Sequence, residues 1–69
     1  MKISARNQLK GVITDIQTGA VNSIVAIQVG DYSIKSSITN EAVADLGLKV
    51  GEQAYAIVKA SNVMVGVDH

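Results

Sequence analysis

Sixty-nine residues allow a single small domain, and a chain of this size hides only about 60% of the surface its unfolded form exposes. There is no cysteine, and the one histidine, His69, is the last residue, so disulfides, thiolate sites and a zinc centre are not expected. Six basic and six acidic residues cancel to zero formal charge, and aromatic residues are 3%, Tyr32 and Tyr55, which argues against a nucleic-acid binder relying on phosphate neutralisation or base stacking.

A marginal core needs a reinforcement, and with disulfides and metals set aside the remaining one is self-association. At 48% hydrophobic residues the chain holds more apolar surface than one private core can take, which points the same way. The opening Met1-Lys2-Ile3-Ser4-Ala5-Arg6-Asn7 is too polar for the apolar stretch of a signal peptide. No run approaches the length needed to span a bilayer. The expectation is a cytoplasmic protein with neither a membrane nor a nucleic acid as partner.

The first element expected is a strand over Lys10 to Gln17, rich in β-branched residues, with Val12, Thr14 and Ile16 on one face and Ile13 and Asp15 on the other. Thr18-Gly19-Ala20 interrupts it, with Gly19 placed for a turn of positive φ. A second strand runs Val21 to Val29. Both of its faces are largely apolar, Val25, Ile27 and Val29 against Ile24, Ala26 and Gln28, as if the barrel covered one side and a partner subunit the other.

Gly30-Asp31 is a two-residue hairpin signal of the Gly-X kind, leading to a third strand from Tyr32 to Ile38. Thr39 or Asn40 can cap a short helix, Glu41 suits its positive end, and Gly47 is placed to stop it. A fourth strand follows from Gln53 to Lys59. A fifth is expected from Val63 to Val67, where Gly66 suggests a bulge or a close backbone approach. The fold class is therefore all-β: a five-stranded OB-like barrel with one short helix between strands 3 and 4, forming a single domain over residues 1–69.

Enzymatic machinery is hard to assemble from these residues. A cysteine nucleophile is absent, a histidine base is terminal, and the acids fall mainly at turns or on the helix. The six glycines are scattered singly, as turn and bulge residues are, and form no phosphate loop. No catalytic residues, metal ligands or cofactors are assigned.

Two polar segments remain. Ser4-Ala5-Arg6-Asn7 precedes the first strand and Lys59-Ala60-Ser61 follows the fourth; each combines a hydroxyl, a cation and consecutive N–H groups. A tetrahedral oxyanion calls for this chemistry, many donors with modest positive charge, and consecutive amides at a bend can form a concave anion nest. Spacing alone favours the plainer reading, in which Arg6 and Lys59 are solvated charges and the serines form turns.

The opening Met1-Lys2-Ile3-Ser4-Ala5-Arg6-Asn7-Gln8-Leu9-Lys10-Gly11 resembles the start of a molbindin (Mop). Gly19-Ala20-Val21-Asn22 is similar to that family's Gly-x-Val-Asn turn, and Leu46-Gly47-Leu48-Lys49-Val50-Gly51 to its helix end. Ala56-Ile57-Val58-Lys59-Ala60-Ser61-Asn62-Val63-Met64-Val65 resembles its near-terminal signature, so the likeness spans nearly the whole chain in order. The resemblance implies an OB-type barrel assembled as a homohexamer, a trimer of dimers, that stores molybdate or tungstate between subunits. It implies oxyanion contacts from Ser4, Ala5 and Arg6, and from Lys59, Ala60 and Ser61 of a neighbouring subunit. Val21 and Asn22 match a turn linked to a further class of site. Two other roles for the same fold are an oxyanion-sensing regulatory or transporter-accessory module, and an OB-fold nucleic-acid binder.

Overall fold

A computed structural model describes all residues, 1–69. Its elements are β1 (Asn7–Thr18), β2 (Asn22–Val29), β3 (Tyr32–Thr39), α1 (Asn40–Leu46), β4 (Gln53–Val58) and a 3₁₀ turn over Ala60–Asn62. The strands form one antiparallel sheet in the order β3-β2-β1-β4, which leaves β3 and β4 as free edges. The sheet curls into a half-barrel. It has four strands and not the expected five: Val63 to Val67 adopts no strand and pairs with nothing. Gly66 likewise makes no close backbone approach, since a Cβ there would meet nothing within 4 Å. The physical reason is the missing neighbour, because an extended segment becomes a strand only when its N–H and C=O groups find a ladder.

Strand β1 organises the curl by serving two ladders in succession. Asn7 to Val12 pairs with β4, from Asn7↔Val58 to Val12↔Gln53. Val12 to Thr18 pairs with β2, from Val12↔Gln28 to Thr18↔Ser23. Near the handover, Gly11 lies so close to β2 that an added Cβ would sit 2.3 Å from the Gln28 carbonyl oxygen. A bulge follows, with Ile13 opposite Ile27 and Asp15 opposite Ala26, so Thr14 is the extra residue.

The bulge overturns the expected alternation along β1. Ile13 is 1% exposed, and Ile16, on the opposite face by simple parity, packs against the same core, while Val12 is exposed. An inserted residue resets the pleat, so residues on either side of it keep different parity. The core is small: Ile13, Val25, Ile27 and Ala56, with Ile34, Ile38, Val43 and Leu48 among those packed against it. Only six of the 69 residues are buried, which leaves much of the apolar complement facing outward.

The turns follow local chemistry. Gly30 has φ +57°, as the first central residue of a Gly-X hairpin requires, and Val29 faces Tyr32 across it. Gly19 does not adopt the expected positive φ. A glycine is needed there for closeness instead, since a Cβ would lie 2.8 Å from the Asn22 carbonyl oxygen. Thr39 caps α1 by accepting a 3.0 Å bond from the Ala42 N–H. Gly47 ends the helix at φ 62°, ψ 37°, with its own N–H on the Ala44 carbonyl and that of Leu48 on the Val43 carbonyl. That paired closure satisfies two orphan carbonyls and turns Leu48 back onto the core.

Candidate functional site

The β1–β4 register brings the two polar segments to one corner of the sheet. Asn7 pairs with Val58, so Ser4, Ala5 and Arg6 enter the ladder where Lys59, Ala60 and Ser61 leave it. Both segments belong to one chain here, although the resemblance implied the second from a neighbour. All six residues are exposed except Ala5, which is half-buried.

The hydrogen bonding of this corner is one-sided. Gln8 donates from Nε2 to the Ala5 carbonyl at 3.0 Å. In the 3₁₀ turn the Asn62 N–H occupies the Lys59 carbonyl at 2.9 Å and the Val63 N–H occupies the Ala60 carbonyl at 3.2 Å. The carbonyls of Ala5, Lys59 and Ala60, three that would repel an anion, are thus engaged. The N–H groups of Ser4, Ala5, Arg6, Ala60 and Ser61 donate to no backbone carbonyl, so these donors are free. Arg6 and Lys59 are the only charged side chains in the two segments, and both are cations. Free donors, three engaged carbonyls and positive charge together make a surface receptive to an oxyanion.

Val21 and Asn22 lie elsewhere. They follow Thr18, at the far end of β1 from Asn7, a strand length of roughly 35 Å before bending and twist shorten it. Both residues are exposed. The turn is tied to the start of α1: the Asn40 N–H donates to the Val21 carbonyl at 2.8 Å and Asn40 Nδ2 to the Gly19 carbonyl at 2.9 Å. Ser23, 1% exposed, donates its hydroxyl to Asn40 Oδ1. Asn40, Ser23 and Gln8 were not among the site residues expected from the sequence. One signal for Asn40 was present: Thr39-Asn40 offers two caps where a helix needs one, so the spare side chain is free for another task.

The main hollow of the molecule is not the polar corner. It encloses about 390 Å³ between the free edges β3 and β4, and nine of its eleven lining residues are hydrophobic, Val25, Ile27, Ile38, Leu48 and Ile57 among them. None of the eight expected oxyanion residues lines it. Its chemistry suits an apolar segment, not a dianion. No helix is long and apolar enough to cross a membrane.

Comparison with known proteins bears on the class first. A family model described as the TOBE domain matches residues 3–65. A relative from Haemophilus influenzae, described as a probable molybdenum-pterin-binding protein, is 55% identical over 69 residues, covering 99% of this chain and 100% of the relative. Among solved structures, a molybdate-binding protein from Sporomusa ovata superposes with a TM-score of 0.92 at 34% identity, covering 97% of this chain and 100% of that one. The cytoplasmic molybdate-binding protein ModG, solved with molybdate bound, gives a TM-score of 0.91 at 49% identity over 99% of this chain and 49% of its own. The chain belongs to the TOBE-domain family of binding domains and, within it, to the molbindin (Mop) group.

Proposed function

We propose that this chain binds molybdate or tungstate and stores it, as a single-domain homo-oligomer with anions held between subunits. The observation that carries the reading is the polar corner, where Ser4-Ala5-Arg6 and Lys59-Ala60-Ser61 present free N–H groups, two hydroxyls and two cations beside carbonyls already engaged. A tetrahedral dianion taken out of water needs donors on every oxygen, or its desolvation outweighs the attraction. One exposed corner covers one side of the ion. The corner of a second copy supplies the rest, so the site is complete only in the assembly. The ion is bound and released intact, with no covalent step and no cofactor, so the protein acts as a buffer and not as an enzyme.

The same assembly answers the unfilled hollow. The segment Val63 to Val67 is exposed, Met64 at 92% and Val65 at 91%, and the half-barrel lacks a strand between its two free edges. In the proposed oligomer this segment of one copy lies against the apolar hollow of another. Six copies arranged as a trimer of dimers are the expected stoichiometry, and the cytoplasm the expected location. The names of the relatives support molybdate as the ligand, since two solved neighbours are described as molybdate-binding proteins.

Calorimetric titration with molybdate tests the reading directly. Arg6→Ala and Ser61→Ala are each expected to weaken binding about tenfold or more, the loss of a charge-assisted hydrogen bond or two, while thermal unfolding stays close to the parent's. Unchanged affinity in both variants would remove this corner from the site. A regulatory or transporter-accessory role would use the same corner and the same ions.

A further inference from the structure

The Gly19–Asn22 turn has the same polarity as the corner, achieved by a different device. Three of its four carbonyls are occupied: that of Gly19 by Asn40 Nδ2 at 2.9 Å, that of Val21 by the Asn40 N–H at 2.8 Å, and that of Asn22 by the Gly19 N–H at 2.8 Å. The N–H groups of Ala20 and Val21 donate to no acceptor within the chain. Two of those three are held by Asn40, the Gly19 carbonyl through the side chain and the Val21 carbonyl through the backbone N–H. Its side chain is oriented in turn by Ser23, whose buried hydroxyl donates to Oδ1 and so leaves Nδ2 facing Gly19.

We infer that Asn40, oriented by Ser23, is a positioning residue whose side chain holds the Gly19 carbonyl inward and so leaves the Ala20 and Val21 N–H groups of the Gly19–Asn22 turn outward, setting the turn to receive an oxyanion. The inference rests on the reading of the chain as an oxyanion binder and names the residue that prepares its second region. An asparagine suits the task because it combines an acceptor for Ser23 with a donor for Gly19. Aspartate has no such donor and would set a negative oxygen against the Gly19 carbonyl. Asn40 itself contacts no anion in this account. Without its side chain the Gly19 carbonyl loses its partner and is free to rotate outward, where it opposes the charge that the amides attract, while the Val21 carbonyl keeps the backbone N–H of residue 40.

The test is a titration of the ¹⁵N-labelled, assembled protein with sodium molybdate, following backbone amide resonances in both regions. In the parent protein the Ala20 and Val21 amides should shift with molybdate. In Asn40→Ala the concentration needed to shift them should rise about tenfold, since each lost hydrogen bond is a factor of several. The amides of Ala5, Ala60 and Ser61 should titrate as before. Ser23→Ala, which leaves every backbone contact in place, should give a smaller rise of about threefold at the turn alone. It decides the matter if Asn40→Ala fails to assemble. A merely structural role would move both regions together, and that result overturns the inference, as do unchanged turn midpoints in folded variants. Turn amides that stay still in the parent while the corner titrates also overturn it and leave the proposed function standing. Silence in both regions overturns the two together.

Discussion

Gly11 and Gly47 show how differently two glycines can matter. At Gly11 the obstacle is space, since a Cβ would meet a backbone oxygen at 2.3 Å and the side chains of Ile27 and Val29 at 2.9 Å. Backbone cannot yield cheaply where β1 passes from one ladder to the other, so Gly11→Ala should cost about 2–3 kcal/mol in urea unfolding, the range of an overpacked core. At Gly47 nothing lies within 4 Å of the added carbon, and the obstacle is φ +62°. Gly47→Ala should therefore cost less, about 1 kcal/mol, the penalty of a left-handed conformation for an L-residue. Equal costs for the two would show that the β1 crossing is looser than the structure has it. At the polar corner, the same scale of reasoning predicts that Gln8→Ala weakens molybdate binding a few-fold by releasing the Ala5 carbonyl toward the anion, a loss that calorimetry would detect.

Among the elements, α1 depends most on its ends. It has seven residues and none is buried, and an isolated helix that short does not persist in water. Thr39→Ala removes the cap on the Ala42 N–H and should cost about 1 kcal/mol, with faster hydrogen exchange at Ala42 as the direct sign. Cap, glycine stop and hairpin were legible in the sequence because each is a local contract between a residue type and a dihedral angle. So were β2 and β3, whose limits depart from the expected ones by a residue. The β1 bulge was not legible, because nothing in Val12-Ile13-Thr14-Asp15-Ile16 marks which residue is surplus. That choice belongs to the register with β2, where Ile13 meets Ile27 and Asp15 meets Ala26. The Gly19 turn was located correctly but for the wrong reason: closeness to Asn22 and not a positive φ. The fifth strand was expected from a β-rich pattern, and pattern reports willingness to pair, not the presence of a partner. For the candidate site, spacing alone favoured solvated charges and turn serines, the molbindin resemblance singled out the two polar segments, and the ladder register explains why they share a corner. Occupied carbonyls, however, can be seen only in three dimensions.

At the scale of the whole molecule, the imbalance between six buried residues and a surface carrying Val21, Tyr32, Leu46, Met64, Val65 and Val67 is the dominant fact. A lone chain with so little interior is hard to stabilise, and exposed apolar residues in this number favour the proposed association. Val65 is 91% exposed in the single chain, so Val65→Asp should be harmless to a monomer. In the proposed oligomer it places an unpaired charge in an apolar interface and should shift the sedimenting species to a smaller one. In the proposed oligomer the anion binds the assembly and not the separated chain, so molybdate should raise the thermal midpoint as its occupancy rises.

Native mass spectrometry of the protein with and without molybdate bears most directly on that claim, since it reads subunit number and bound ions in one spectrum. The account predicts an assembly of six 7.2 kDa chains that gains whole molybdate ions and resists dissociation once loaded. A 7.2 kDa monomer whose mass is the same in both spectra would contradict it.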